Sequence, residues 1–287
     1  MTLPMMTELI MGFAYRATNA GNHAIVHLYQ STASNNGICL GVSGGKFTFS
    51  IPSGTGTGTA LGTSTTSFSA NTWYNIELRV KLGSGSSGEV ELRINGATEI
   101  STVACNTATG SITAYKYALF SGSFSGFITN YFDDFYLCDK SGTENNTFMG
   151  PCAVYTLLPT VNGTTNNYTA VGATPQYVCV SSEPYDTAKY VESANVGDLD
   201  YYAFEALPIT PTSIPAVMAS AISSSSYSTT KGTKLRIKYV TELVSSTIRT
   251  NLSAWSRQFF AAGKAPDGSA WTKAKVDSIE VALETAN

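Results

Sequence analysis

Trp73-Tyr74-Asn75-Ile76-Glu77-Leu78-Arg79-Val80-Lys81-Leu82, a Gly/Ser turn at 83–88, then Glu89-Val90-Glu91-Leu92-Arg93-Ile94-Asn95-Gly96 is the stretch that decides the fold class. In its first run Tyr74, Ile76, Leu78 and Val80 fall on one side, and Trp73, Asn75, Glu77 and Arg79 on the other. In its second run Val90, Leu92 and Ile94 share the apolar side. A period of two is the repeat of a half-buried strand. Two such runs around a Gly/Ser turn read as an antiparallel hairpin, and Asn95-Gly96 supplies the next tight turn. The polar side carries Glu77, Arg79, Glu91 and Arg93, which suits charge pairing across strands.

Working outward, residues 8–17, 23–29, 37–42, 46–51, 115–120, 124–128 and 131–138 are further predicted strands. In 46–51 the residues Phe47, Phe49 and Ile51 alternate cleanly onto one face. Residues 52–67 are low in complexity and cannot fill a core, so they are expected to form a loop or a weakly packed edge. A polar, turn-rich stretch at 139–151 ends in Gly150-Pro151 and marks a boundary. Beyond it, 152–159, 176–181, 201–207, 214–222, 234–244 and 278–284 are predicted strands and 162–168 a loop. Residues 271–275 allow one helical turn after Pro266-Asp267-Gly268, and no long amphipathic helix is expected. The predicted architecture is all-β, with two tandem antiparallel β-sandwiches. A jelly roll occupies 1–140, a linker 141–151, and a second sandwich 152–287.

Composition agrees and excludes several classes. A chain of 287 residues is long enough for about two domains. Charged residues are only 13 %, roughly half the usual ~25 %. Seventeen basic and twenty acidic side chains leave a net charge of −3. That excludes a basic nucleic-acid footprint and argues against a polybasic membrane-surface protein. No apolar run reaches the ~20 residues of a membrane-spanning helix. Residues 1–11 contain no Lys or Arg, so a secretory signal is not expected. Cys39, Cys105, Cys138, Cys152 and Cys179 are odd in number and contain no CxxC pair. They are expected to be buried thiols rather than a disulfide framework or a zinc site.

Few residues are candidates for chemistry. His23 and His27, the two histidines, stand at i and i+4 and would share a strand face, but no acid or thiol cluster accompanies them. They are expected to occupy ordinary strand positions. Glycosidase chemistry needs two positioned carboxylates; Glu89 and Glu91 share a face, but no further acid follows in that run and Arg93 comes next on that face. They are expected on the solvent side of the hairpin. Asp133 and Asp134 are the carboxylates best suited to a hard cation, with bonding to a turn or to backbone as the alternative. Asp186, Asp198 and Asp200 lie in loop-like sequence with the same two readings. The Gly-rich stretch at 54–62 lacks the strand-to-helix context of a phosphate loop. No residue is therefore assigned a catalytic, cofactor-binding or metal-binding role, and no cofactor is expected.

Two resemblances add to this. The Trp73–Leu78 run, the Gly-rich turn, Glu89–Gly96 and the late Phe132-Asp133-Asp134-Phe135-Tyr136-Leu137 strand resemble the concanavalin A-like lectin/glucanase (LamG-like) jelly roll over residues 1 to about 140. That family's modules usually carry one or two strands before the equivalent of Met11-Gly12-Phe13. The resemblance thus implies an open edge that a neighbouring subunit covers. The stretches 139–151, 185–207 and 266–284 resemble virion structural proteins of tailed bacteriophages. This implies a non-enzymatic structural component of the particle, docking on capsid or tail as a decoration or attachment protein. Its implied partners are other virion proteins and copies of itself, with neither nucleic acid nor membrane. Its implied location is the virion, assembled in the host cytoplasm. The alternative function is a carbohydrate-binding module or adhesin for host-surface glycans.

Overall fold

The computed structural model describes residues 1–30, 37–53, 56–109, 112–120, 128–225, 231–250 and 253–286. The chain is all-β, and the two helices among the described residues are short pieces of five and four residues. It divides into two compact units, Met1–Val154 and Tyr155–Asn287.

Unit 1 contains β1 (Thr2–Met6), β2 (Glu8–Ala17), β3 (His23–Tyr29), β4 (Ile38–Ser43), β5 (Lys46–Ser53), β6 (Gly56–Ser67), β7 (Tyr74–Lys81), β8 (Gly88–Ile94), β9 (Ala97–Cys105), β10 (Tyr115–Phe120) and β11 (Asn130–Asp139). They form two antiparallel sheets, in the orders β1-β10-β3-β4-β5-β6 (sheet A) and β11-β2-β7-β8-β9 (sheet B). The β7–β8 hairpin adopts the register its alternation demands: Ile76 opposes Ile94, Leu78 opposes Leu92 and Val80 opposes Val90. All six side chains are buried between the sheets. Each contributes about 1.5–3 kcal/mol of burial relative to exposure. Asn95 (φ 51°) and Gly96 (φ 84°) make the following turn, with both central residues in the left-handed region as a two-residue hairpin requires. The low-complexity run becomes β6, the edge strand of sheet A. Strand β1 lies outside the expected set. Leu3 and Met6 anchor it in the core, and Pro4 is tolerated because β1 is an edge strand with an irregular register against β10. The strand expected at 124–128 lies, except for Ile128, outside the described residues.

The stretch after β11, expected as a linker, packs on the outer face of sheet B. Glu77 projects from β7 onto that face yet is fully buried. Its Oε1 accepts from the backbone N–H of Gly150 (2.7 Å) and from the Tyr136 hydroxyl, which in turn accepts from the N–H of Met149 (3.3 Å). Phe148 lies under the guanidinium of Arg93 (4.1 Å), and the N–H of Val154 donates to Asp134 Oδ1 (2.8 Å). The Tyr136 ring lies over Gly12, where a Cβ would collide with it. Residues 152–154 therefore belong with unit 1 and do not open the strand expected at 152–159.

Unit 2 contains β12 (Pro159–Asn166), β13 (Thr169–Val171), α1 (Gln176–Val180), β14 (Tyr190–Glu192), β15 (Leu199–Phe204), β16 (Val217–Ser223), β17 (Gly232–Tyr239), β18 (Glu242–Ser245), β19 (Arg249–Thr250), β20 (Ser256–Ala262), α2 (Lys273–Val276) and β21 (Glu280–Ala286). Its main antiparallel sheet runs β12-β15-β21-β17-β18, with β19 also on β17. The ribbons β13-β14 and β16-β20 complete it. The expected single helical turn is α2, capped by Thr272, whose hydroxyl accepts from the N–H of Lys275. Trp271 just before it is buried and donates its indole N–H to the carbonyl of Ala262 (2.8 Å).

Three local expectations are corrected. The stretch 176–181 is helical because Asn162 of β12 accepts the otherwise orphaned N–H of Tyr177 (2.9 Å) and donates to Gln176 (2.6 Å). The expected loop at 162–168 is largely strand β12, held to β21 by Glu280, which accepts from the N–H and hydroxyl of Thr164. The single strand expected at 234–244 is a hairpin, folded at Val240-Thr241 with Val240 at φ 56°.

Candidate functional site

The two histidines do not converge. A bulge between Ala24 and Val26 reverses the parity of β3. His23 thereby turns to the core side, where it contacts Tyr15 (2.5 Å from Nε2 to the hydroxyl) and the Phe68 ring, and its Nδ1 bonds the Gly21 carbonyl (2.6 Å). His27 lies on the opposite face of sheet A beside Tyr29, whose ring stacks on Tyr117 (5.4 Å). Burial lowers the proton affinity of both rings below the usual histidine range.

Glu89 and Glu91 are engaged in ion pairs on the outer face of sheet B. Glu89 bridges Lys81 (2.7 Å) and Arg79 (3.2 Å), and Glu91 meets Arg93 (3.0 Å). Glu77, expected among these surface pairs, holds the 148–154 segment instead. Asp133 and Asp134 sit at a register shift in β11 and bond to backbone N–H groups, Asp133 to that of Asp134 (2.8 Å) and Asp134 to that of Val154. The five cysteines are all thiols, four of them buried. Burial pushes the Cys39 thiol up to about 12. Among the described residues no group of three or more His, Cys, Asp and Glu side chains is placed to hold a metal ion.

Asp186, Asp198 and Asp200 all line one cavity of about 870 Å³ within unit 2, each held by its own neighbours. The cavity lies between the face of the main sheet formed by β15, β21 and β17 and the ribbons β13-β14 and β16-β20. The sheet residues facing it include polar side chains. Asp200 is fully buried, accepting from the N–H of Tyr168 at Oδ1 and from the Tyr202 hydroxyl at Oδ2, both at 2.8 Å. The Tyr168 hydroxyl bonds to Thr285 (2.8 Å). Burial pushes the Tyr168 phenol up to about 12, and burial together with the neighbouring Asp200 carboxylate raises that of Tyr202 further. These phenols stay neutral hydroxyls at physiological pH.

The other wall is aromatic. Trp255, immediately before β20, stands between Tyr185 (ring centroids 6.2 Å apart) and Tyr190 (6.1 Å). Trp255 is 39 % and Tyr185 47 % exposed. Arg257, two residues on, pairs with Glu183 (3.0 Å), and Lys189 with Asp186 (3.4 Å). Asp198 accepts from Ser193 (2.6 Å) and Asn195 (3.1 Å). The sequence reading names the aspartates but misses Trp255, Tyr185 and Tyr190. Trp255 stands far along the chain from the two tyrosines, and only the fold brings the rings together. The available signal is an aromatic directly before the alternating Ser256-Arg257-Gln258-Phe259.

No protein-family model matches the chain, and no curated protein is similar to it in sequence. Among solved structures, a mutant of the alginate lyase Aly36B in complex with alginate tetrasaccharide is similar at 18 % identity, over 47 % of this chain and 71 % of that one, with a TM-score of 0.36. A structure described under the cell entry of botulinum neurotoxin type C through two ganglioside molecules is similar at 12 % identity. The likeness spans 99 % of this chain and 78 % of that one, with a TM-score of 0.34.

Proposed function

We propose that the chain is a non-enzymatic carbohydrate-binding module that takes a glycan in the unit 2 cleft. The observation that carries this is the Trp255–Tyr185–Tyr190 cluster standing over a cleft whose other wall is fixed hydroxyls and carboxylates. Sugar rings offer an apolar C–H face that stacks on aromatic rings and a rim of hydroxyls that both donate and accept. The cleft supplies both kinds of surface side by side. A binding role is favoured over catalysis because Asp186, Asp198 and Asp200 are each held by their own neighbours. None of them is arranged as an acid–base pair across an open gap.

The setting we infer is the one implied by the sequence resemblance, an attachment protein of a bacteriophage particle. Supporting it, the 185–207 stretch that carries part of that resemblance also lines the cleft, through Tyr185, Tyr190, Asp198 and Tyr202. An attachment protein and a glycan receptor site are compatible in one chain.

The test is a glycan array followed by calorimetry on the best hit, with the full chain and its Trp255→Ala variant. One stacked ring contributes about 0.5–1.5 kcal/mol, so the variant is expected to bind about two- to tenfold more weakly. Trp255 stands outside the buried core, so the variant keeps its fold. Equal affinity of the two proteins overturns the cleft as the site. Quantitative mass spectrometry of purified particles checks the setting, which fails if the chain is absent from them.

A further inference from the structure

On the outer face of sheet B in unit 1, three side chains stand in one row: one on β2, one on β11 and one on the residue just before β7. Arg16 of β2 is directly opposite Tyr131 of β11. Trp73 precedes Tyr74, which is opposite Tyr15, so it lies beside Arg16 on the other flank. The Arg16 guanidinium carbon sits 4.2 Å from the Tyr131 ring centroid and 5.3 Å from that of Trp73. Trp73 is 47 % and Tyr131 39 % exposed.

This cation has no anion among the described residues. Arg79, Arg93, Arg236 and Arg257 each hold a carboxylate. Among the described residues none accepts a hydrogen bond from the Arg16 Nε, which is buried without a partner. Asp133, opposite Ala14 in the next row, turns its Oδ1 to the N–H of Asp134. Asn75 of β7, opposite Ala14 on the other side, carries a buried Oδ1 that is also without a partner. An unpaired Arg16 Nε and an unpaired Asn75 Oδ1 thus stand in adjacent rows, beside two exposed aromatic residues.

We propose that this row is a second binding site, for a sugar acid such as a hexuronate. A guanidinium stacked between rings presents its N–H fork in a fixed plane, which matches a carboxylate bidentately and loses little freedom on binding. The pyranose C–H face covers Trp73, and a ring hydroxyl donates towards Asn75. A bare carboxylate satisfies the first feature alone. The site is built from unit 1 residues only and does not depend on the unit 2 cleft.

The test reads the site directly. The indole N–H signal of Trp73, assigned by its loss in Trp73→Phe, is followed in 15N-labelled full-length protein as tri-galacturonate is added. Galactotriose serves as the uncharged counterpart and a hexapeptide of Asp and Glu as the non-sugar acid. The Trp73 signal is expected to move with tri-galacturonate in the native protein and equally in Trp255→Ala. The apparent affinity falls tenfold or more in Arg16→Gln and by less in Arg16→Lys, which keeps the charge but not the fork. Unmoved backbone amide signals of Leu78 and Leu92, in the unit 1 core, establish that Arg16→Gln is folded. An unresponsive Trp73 signal, an equal response to galactotriose or to the peptide, or an unchanged affinity in Arg16→Gln overturns the proposal. Failure of the unit 2 cleft shows instead in the Trp255→Ala array result and leaves this titration untouched.

Discussion

Unit 1 and unit 2 are both built from antiparallel sheets, yet their interiors differ. Unit 1 closes on a continuous core in which Phe13, Tyr15, Phe47, Phe49 and Tyr115 are at most 1 % exposed. Unit 2 has a smaller core around Leu235, Ile237, Trp271 and Ile279, and beside it the cavity of about 870 Å³. The cause lies in what the strands present. Where β7 and β8 turn Ile, Leu and Val inward, β15 and β21 bring Asp200, Tyr202 and Thr285 to the inner wall. Polar groups that are already bonded to each other do not require apolar cover, so a space lined by them stays open to water or to a ligand. A sandwich filled with side chains has no such room; one left partly open does.

The largest expected effect tests that contrast directly. Leu78→Ala deletes a fully buried side chain from the filled core and is expected to cost about 2–5 kcal/mol of unfolding free energy. Leu283→Ala removes a partly buried side chain that already borders the cavity. It is expected to cost about 1 kcal/mol, because little packing is lost where there was little to begin with. Hydrogen exchange of the β7 and β17 amides across a urea series measures each unit separately. Equal costs would break the distinction between a filled and an open interior.

A second comparison sets Glu77 against Asp200, each fully buried in its own unit. Both Asp200 oxygens have donors, whereas Glu77 Oε2 has none among the described residues. Glu77→Ala strips a partner from the N–H of Gly150 and from the Tyr136 hydroxyl, for about 2–3 kcal/mol. Hydrogen exchange across 148–154 is expected to accelerate in that variant. Glu77→Gln keeps one acceptor oxygen for these donors and exchanges an unpaired acceptor for an unpaired amide group, so it is expected to cost less than Glu77→Ala. Asp200→Asn has no idle oxygen to replace and is expected to cost more than Glu77→Gln. If the order is reversed, the unpaired Oε2 does not describe the site.

Legibility in the sequence divides along the same line. The β7–β8 hairpin is readable to the register because one apolar face and one turn specify it locally. The all-β class follows from repetition of that pattern. The parity of β3 is not readable, because the bulge at Ala24–Val26 inserts one residue into a run that looks regular. The helix at 176–180 is not readable because the free N–H of Tyr177 in its first turn is satisfied by Asn162, from strand β12. The cleft is half legible. Its aspartates sit in one stretch and can be named, whereas Trp255 joins Tyr185 and Tyr190 only through the fold. The Arg16 row is hidden for the same reason, since its three residues are neighbours across strands and not along them. The stretches behind the virion resemblance have definite structural tasks. Residues 148–154 cover Glu77, and Trp271 fills the unit 2 core.

The smallest expected effect separates two carboxylates, one in each unit, whose pKa is held down to about 2. Glu99 in unit 1 is held down by neutral donors, the hydroxyls of Thr65 and Thr66 first and then their backbone N–H groups. Asp267 in unit 2 is held first by the Lys275 ammonium (2.5 Å), then by the N–H and hydroxyl of Ser269. In both, the folded pKa lies below the unfolded one. The stabilisation is therefore fully present above the unfolded carboxylate range and is lost as the pH falls through it towards about 2. Both groups are largely in solvent, so the effect on stability is small, and the sharper measurement is the titration itself. Carboxyl carbon shifts followed by NMR down to strongly acidic pH are expected to place both midpoints near 2 at low salt. Raising the salt to about 1 M shortens the screening length to about 3 Å and weakens the hold of the Lys275 charge. The Asp267 midpoint is expected to climb, while that of Glu99, set by hydrogen bonds from uncharged groups, stays where it was. A parallel climb of both midpoints would mean that Glu99 too is governed by distant charge, and that the Thr65-Thr66 cradle is not what fixes the edge of sheet A to β9.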